Sequence, residues 1–401
     1  MMDGVVNVLL RGLVLPFGCA LVVVWLVLGL SSLPMRRLGA DAHWSVVALR
    51  YWNVRVARMY SMIWIVVFAF SLVPGKQDSF GWGVMSAVSA GFGCALGARL
   101  ATRGLRVPDV EKCGWMRGLV ARSFLFPAAP TIFLIMALTW NDGLVAKSWM
   151  IAAGFLVLDL ALVMGGSVRV LRAMGLLRPV GDPERNRMIL EQAEKQGVAI
   201  RHVFEVELPS VNAFAFPWTR DVAFTVSAFR VLDPDEVRSV AAHELGHLKG
   251  KSSIRWMLLA GLPSLVMIGL APAAMRSALP LVGLGFFMVH VAVARLLARV
   301  SQKFEHEADT EARSGEHEDG VYARALEKIH EANLIPAVIP ANATHPSLYD
   351  RMIAAGVTPD FPRPAAPSKL LPVVLGAVAA VLFFASLHCM DGVIRIASEL
   401  R

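Results

Sequence analysis

The sequence predicts a mainly α fold: a polytopic helical membrane protein of about eight spans that carries a small α+β domain. Three observations predict it. The 401 residues are 56% hydrophobic and only 17% charged, far from the balance of a soluble protein. Apolar runs of the length that crosses a bilayer, about 20 residues, recur along the chain. Two polar blocks interrupt them, and in these blocks helical periodicity alternates with short β-rich segments.

The spans are expected near residues 5–34, 59–74, 79–98, 123–140, 149–168, 254–275, 278–298 and 370–390. The first is too long for a signal-peptide core and has no clear cleavage site, so it reads as a retained helix. Basic residues set the orientation. Arg36, Arg37, Arg50, Arg55 and Arg58 follow the first span, and Arg99, Arg103, Arg106, Lys112, Arg117 and Arg122 follow the third. Arg169, Arg172 and Arg178 follow the fifth, and Lys249, Lys251, Arg295, Arg299 and Lys303 border the next pair. All of them fall on one side. The positive-inside rule makes that side cytoplasmic, with both termini outside. With no eukaryotic targeting signal in the chain, a bacterial inner membrane is the expected host. The net charge of +8 follows from the same rule and calls for no nucleic-acid partner. Cys19, Cys94, Cys113 and Cys389 lack ligand spacing to one another, so neither a disulfide nor a cysteine metal site is expected.

The expected organisation is a five-span region (1–178), a first polar part (179–253), a two-span hairpin (254–298), a second polar part (299–368) and a C-terminal span (369–401). In the first polar part, Glu184 to Gln196 reads as a helix with Met188, Ile189 and Ala193 on one side. Gly197 ends it, and Val198 to Val206 reads as a strand. A second extended piece runs from Val211 to Pro217. Its alternation sets Ala213 and Ala215 on one face, small enough to leave room for an approaching chain, with Phe214 and Phe216 on the other. A third extended piece spans Val222 to Val226.

The helix that follows carries the chemistry. Asp233-Pro234-Asp235-Glu236 offers an N-cap, a proline at the first helical position and a capping-box glutamate, with Gly250 as a stop. Within the helix, His243-Glu244-Leu245-Gly246-His247 places two imidazoles at i and i+4, on one face and in reach of one metal ion. Glu244 stands beside them, placed to polarise the attacking water as a general base. In a chain with 10 histidines, a chance match to such a pattern is on the order of 0.01. The alternative is an ordinary amphipathic helix with two histidines.

A zinc site of this kind needs a third protein ligand and an open position. The best candidate is Glu305, with Asp309 four residues on and on the same helical face. One of the two carboxylates can bind the ion while the other accepts the ring N–H of a ligating histidine. Taken alone, this patch also reads as a solvated acidic face.

These motifs together resemble the integral-membrane zinc metallopeptidases, or gluzincins, that include the type I CAAX prenyl endopeptidases and the HtpX-type quality-control proteases. Asn212-Ala213-Phe214, the HELGH motif, Glu305-x-x-x-Asp309, and His345-Pro346 followed by Arg351 match in that order, with two spans between the metal motifs. The resemblance covers about residues 180–355. The five upstream spans are similar to the CAAX-processing branch, whereas Gln302 stands where an arginine is common and an eighth span follows the usual seventh. The resemblance implies a zincin-type peptidase domain binding one zinc ion, with His243, His247 and Glu305 as ligands and Glu244 as base. It implies that Asp309 orients a ligand, that His345 helps stabilise the oxyanion, and that Arg351 anchors its segment. It also implies that Asn212, Ala213 and Phe214 pair with substrate backbone by strand addition. Alone, His345-Pro346 reads equally as a turn before a helix.

Asp159 and His290 fall near the middle of their spans, where ionisable groups face a bundle interior or a wet cavity. They either line a chamber or make structural hydrogen bonds. The function expected is hydrolysis of peptide or protein substrates by a zinc-dependent endopeptidase at the cytoplasmic face of the bilayer, in the manner of CAAX processing. The alternatives are an HtpX-like quality-control protease and, from another class, an inactive membrane scaffold or transporter.

Overall fold

The computed structural model describes residues 9–71, 79–105, 121, 124, 148–249, 280–316, 318–339, 346–368 and 370–399. It is mostly helical with one small sheet, as expected, and it divides into two compact units. One unit comprises Met1–Val107 with Ala366–Arg401, and the other comprises Pro108–Ala365.

The first unit is a helical bundle of α1 (Leu15–Ser31), α2 (Trp44–Ser71) and α3 (Ser79–Ala101), joined by the C-terminal helix α11 (Leu370–Glu399). Its interior is built from small and β-branched residues, including Ala20, Val24, Ala57, Ala90 and Ala98, and is closed by Ile65 and Phe383. Gly93 and Gly97 let α3 lie directly on α1, since a Cβ at either position would run into the carbonyl oxygens of Phe17 and Leu21. This is the small-xxx-small spacing by which apolar helices pack without large side chains between them. Trp25, Phe92 and Val381 project outward and are exposed. Among the described residues, two helical stretches, Leu10–Ser31 and Val373–Met390, are long and apolar enough to cross a membrane. The expected spans near 123–140 and 254–275 lie outside the described residues, apart from Phe124.

In the second unit, α4 (Ser148–Ala161) leads through a turn of π-helix into α5 (Ser167–Ala173), and Asp159 is buried on α4. The sheet contains β1 (Leu177–Pro179), β2 (Val203–Val206), β3 (Ala213–Phe216) and β4 (Asp221–Thr225) in the order β1-β2-β4-β3. β1 runs antiparallel to β2, β2 parallel to β4, and β3 antiparallel to β4. On one face the sheet packs against α6 (Pro183–Lys195) and α7 (Pro234–Lys249), through Val203, Ala213, Val222 and Phe224 against Ile189, Val237, Val240 and Ala241. On the other face Phe204, Val206 and Ala223 meet Val168, Leu171 and Leu177. The long helix α8 (Pro280–Ser314), which carries His290, is followed by α9 (Val321–Asn333) and the short α10 (Leu348–Ala354).

Two strand-level expectations need correction. The strand expected over Val198–Val206 begins only at Val203. The residues before it close the preceding helix: Gly197 adopts φ +67°, and Val198 N–H bonds the Ala193 carbonyl at 2.9 Å. That is a helix C-cap with a hydrophobic contact, a use of valine that composition does not distinguish from a strand. The small face of β3, expected to lie open, packs against α7 instead, with Ala213 in the core beside Val240 and Ala241. Alanine is needed there because the motif helix lies directly on the strand.

Candidate metal centre

The motif helix is fixed at its start. Glu236 accepts the Asp233 N–H at 2.9 Å, forming the backward half of the expected capping box. The Asp233 carboxylate turns instead to Lys328 of α9, which bridges Asp233 at 2.7 Å and Glu236 at 2.9 Å. At the other end Lys249 grips both carboxylate oxygens of Glu311 on α8, at 2.7 and 2.8 Å. The helix is thus pinned to α9 and to α8, while Gly250 lies outside the described residues.

Gly246 explains how close α7 comes to α8. A Cβ there would lie 3.1 Å from Ala308 Cα, so the two helices cross glycine against alanine. The crossing brings Glu305, one turn before Ala308, level with both histidines. His243 Nε2 and His247 Nε2 are 3.2 Å apart, and Glu305 oxygens lie 3.5 and 3.6 Å from them. These three residues form the one candidate metal cluster among the described residues. Ligands about 2.1 Å from a tetrahedral zinc sit roughly 3.4 Å from one another, so the triangle fits that ion. Two nitrogens and one carboxylate are also the donor set zinc takes in hydrolytic sites. Glu244, half-buried on the same helix, lies close enough for its charge to act on His243.

Behind these three residues sits a buried polar cluster. Asp309 Oδ1 lies 3.1 Å from His243 Nδ1. Arg351, on α10, clamps Asp309 with Nε to Oδ2 at 2.8 Å and Nη2 to Oδ1 at 2.5 Å. Tyr322 joins them, its hydroxyl 2.7 Å from both His243 Nδ1 and Asp309 Oδ1. Burial works against charge on Asp309, but the hydrogen bond from His243 and the Arg351 guanidinium hold it well below the usual carboxylate range. Burial also pushes His243 down, yet its hydrogen bonds to Asp309 and Glu305, with the Glu244 charge, outweigh this and raise it to about 9. At neutral pH the metal-free site therefore holds a proton on His243 that a metal ion must displace. Zinc loading at pH 7 is expected to release about one proton, and affinity should fall about tenfold per pH unit below 9. Titration calorimetry in buffers of different ionisation enthalpy measures that proton. A release of zero would mean that the carboxylates do not hold it.

β3 lies beside α7 at the edge of the sheet. Thr225 N–H bonds the Asn212 carbonyl at 2.9 Å, so ladder alternation turns the Phe214 main chain toward β4 and the Ala213 and Ala215 main chains to the outer edge. Asn212 is exposed, whereas Asn333 of α9 holds the preceding Val211 by both main-chain groups, at 2.9 and 2.7 Å. His345 lies outside the described residues. Sequence reading missed Tyr322, Asn333 and Lys328, all on α9, whose pattern differs in no way from that of an ordinary amphipathic helix. Arg351, expected with Asp309 as support for the ligands and as an anchor for its own segment, reaches across to Asp309.

Residues 179–356 match the profile of peptidase family M48. The match spans somewhat less than half of the chain. A protease HtpX homolog of Syntrophobacter fumaroxidans is 29% identical over 232 residues, covering 51% of this chain and 82% of that protein. One from Paraburkholderia phytofirmans is 30% identical over 185 residues, covering 43% of this chain and 64%, just under two thirds, of its relative. Among solved structures, Ste24p of S. mikatae aligns over 79% of this chain and 86% of its own, at 16% identity and a TM-score of 0.49. The family match and the HtpX homologs bear out the metallopeptidase expectation.

Proposed function

We propose that the chain is a zinc-dependent membrane endopeptidase whose active site lies at the cytoplasmic face of the bilayer and cuts membrane-tethered or membrane-embedded chains. The observation that carries this reading is the donor triangle of 3.2, 3.5 and 3.6 Å, set beside an edge strand. His243, His247 and Glu305 would hold the ion. Bound there, zinc supplies Lewis acidity to the attacking water and to the scissile carbonyl.

The chain's own groups do the rest. Glu244 takes the proton of the attacking water and delivers it to the leaving amine. Asp309 engages His243 Nδ1, which leaves Nε2 free for the ion, and Arg351 holds Asp309 in place. The outer edge of β3 pairs with substrate backbone, with Asn212, Ala213 and Phe214 along the bound chain. His345 donates to the developing oxyanion in the role the sequence resemblance implies.

CAAX-like processing and HtpX-like degradation use the same site, and the protease HtpX homologs among the relatives give the second its standing. Purified protein incubated in parallel with a prenylated CAAX peptide and an unstructured membrane-protein fragment separates them. One defined cut near the CAAX terminus supports processing, many cuts in the fragment support degradation, and no zinc-dependent cut in either overturns the proposal.

Proline at Ala215 tests the strand role. Its missing N–H faces the outer edge, so zinc binding should persist while peptide KM rises about tenfold, the loss of one charge-free hydrogen bond with some strand disorder. An unchanged KM would remove β3 from substrate alignment.

A further inference from the structure

We infer that Tyr322 is a positioning residue for the metal ligand His243, acting through a buried hydroxyl that ties three helices to one imidazole. The inference rests on the zinc-peptidase reading above.

Tyr322 is only 2% exposed, and its hydroxyl meets groups from α7, α8 and α10. It lies 2.7 Å from His243 Nδ1, 2.7 Å from Asp309 Oδ1 and 2.5 Å from Arg351 Nη2. A phenol has one proton to give and lone pairs to accept with. Arginine only donates, so the oxygen accepts from Arg351. Ionised Asp309 only accepts, so the phenol proton goes there. The remaining contact, at His243, must then be filled by an N–H from Nδ1. Tyr322 thus fixes His243 as the tautomer protonated on Nδ1, with the Nε2 lone pair turned toward His247 and Glu305.

Asp309 alone would do this less well. Its oxygen stands 3.1 Å from Nδ1, and two donors already share it. The tyrosine adds a shorter contact and lies nearly parallel to the imidazole, with ring centroids 5.6 Å apart at 23°. Burial pushes its hydroxyl well above the usual phenol range, which keeps the single proton where the network needs it.

The fold also places this residue deliberately. Glu316 accepts the N–H groups of Gly320 at 3.0 Å and Tyr322 at 2.7 Å, which caps the first turn of α9. Gly320 adopts φ +86°, and a Cβ there would press on Val357. A carboxylate cap and a left-handed glycine together set the rotation of the helix that aims the ring at His243.

The test uses the full chain, purified and stripped of metal, as wild type and as Tyr322→Phe, which keeps the ring and loses only the oxygen. Three quantities are measured: the zinc Kd by competition with a chromophoric chelator, the absorption spectrum with cobalt(II), and the melting of the metal-free protein. The variant is expected to bind zinc about 10–100-fold more weakly, with altered cobalt bands. The metal-free melting temperature should stay close to wild type. An unchanged Kd and cobalt spectrum would overturn the inference, and so would a lowered melting temperature with an unchanged Kd, which marks a merely structural tyrosine. A wild type that binds no zinc would instead defeat the underlying metallopeptidase reading.

Discussion

Glu244→Gln is expected to lower peptide hydrolysis by about 10²–10⁴-fold while leaving metal content and folding near wild type. The amide has the carboxylate's shape and still hydrogen-bonds water, but it cannot take the proton that the attacking water must lose. The effect should appear in kcat, because proton transfer belongs to the transition state and contributes little to ground-state binding. Glu244 also contributes charge that raises His243, though less than Asp309 and Glu305 do. Near-normal turnover in a protein with full zinc occupancy would point to another base.

Glu305→Ala is expected to weaken zinc binding by more than about 100-fold, beyond the range seen when only an orienting partner is lost. Glu305 is the sole carboxylate in the donor triangle, and both its oxygens face imidazole nitrogens at 3.5 and 3.6 Å. Without it two neutral imidazoles remain, and nothing in the triangle balances the dication. Activity should vanish with the metal. Elemental analysis after gel filtration decides the matter, and undiminished tight zinc in the variant would remove Glu305 from the ligand set. Asp309→Asn offers the contrast, since it keeps the triangle and loosens only the support behind His243. Its zinc loss should be the smaller of the two.

Much of this site was legible because its elements are local. An i, i+4 pair on a helix shares a face by backbone geometry alone, which singled out His243 with His247 and Glu305 with Asp309. The capping residues before the motif were readable for the same reason, and Glu236 does reach back to Asp233. Where local signals overlap, reading failed. Valine at 198 suits a strand and also suits the hydrophobic closure of a helix, and only the positive φ of Gly197 distinguishes the two. The alternation of Ala213 to Phe216 gave the two faces of a strand, but not which face would meet the motif helix.

By itself the sequence determined the residue types, their facing within each helix and the apolar character of the long segments, because these depend on backbone periodicity and composition. The tertiary structure decided what the separated segments do together. It crossed α7 and α8 closely enough, Gly246 on Ala308, for Glu305 to meet two histidines some sixty residues earlier. It brought Arg351 to Asp309, and it turned α9 so that an unremarked tyrosine meets the back of His243. It also joined the C-terminal helix to the bundle of the first hundred residues. Such meetings depend on how side chains from distant parts of the chain fill one interior, and no spacing along the sequence records that.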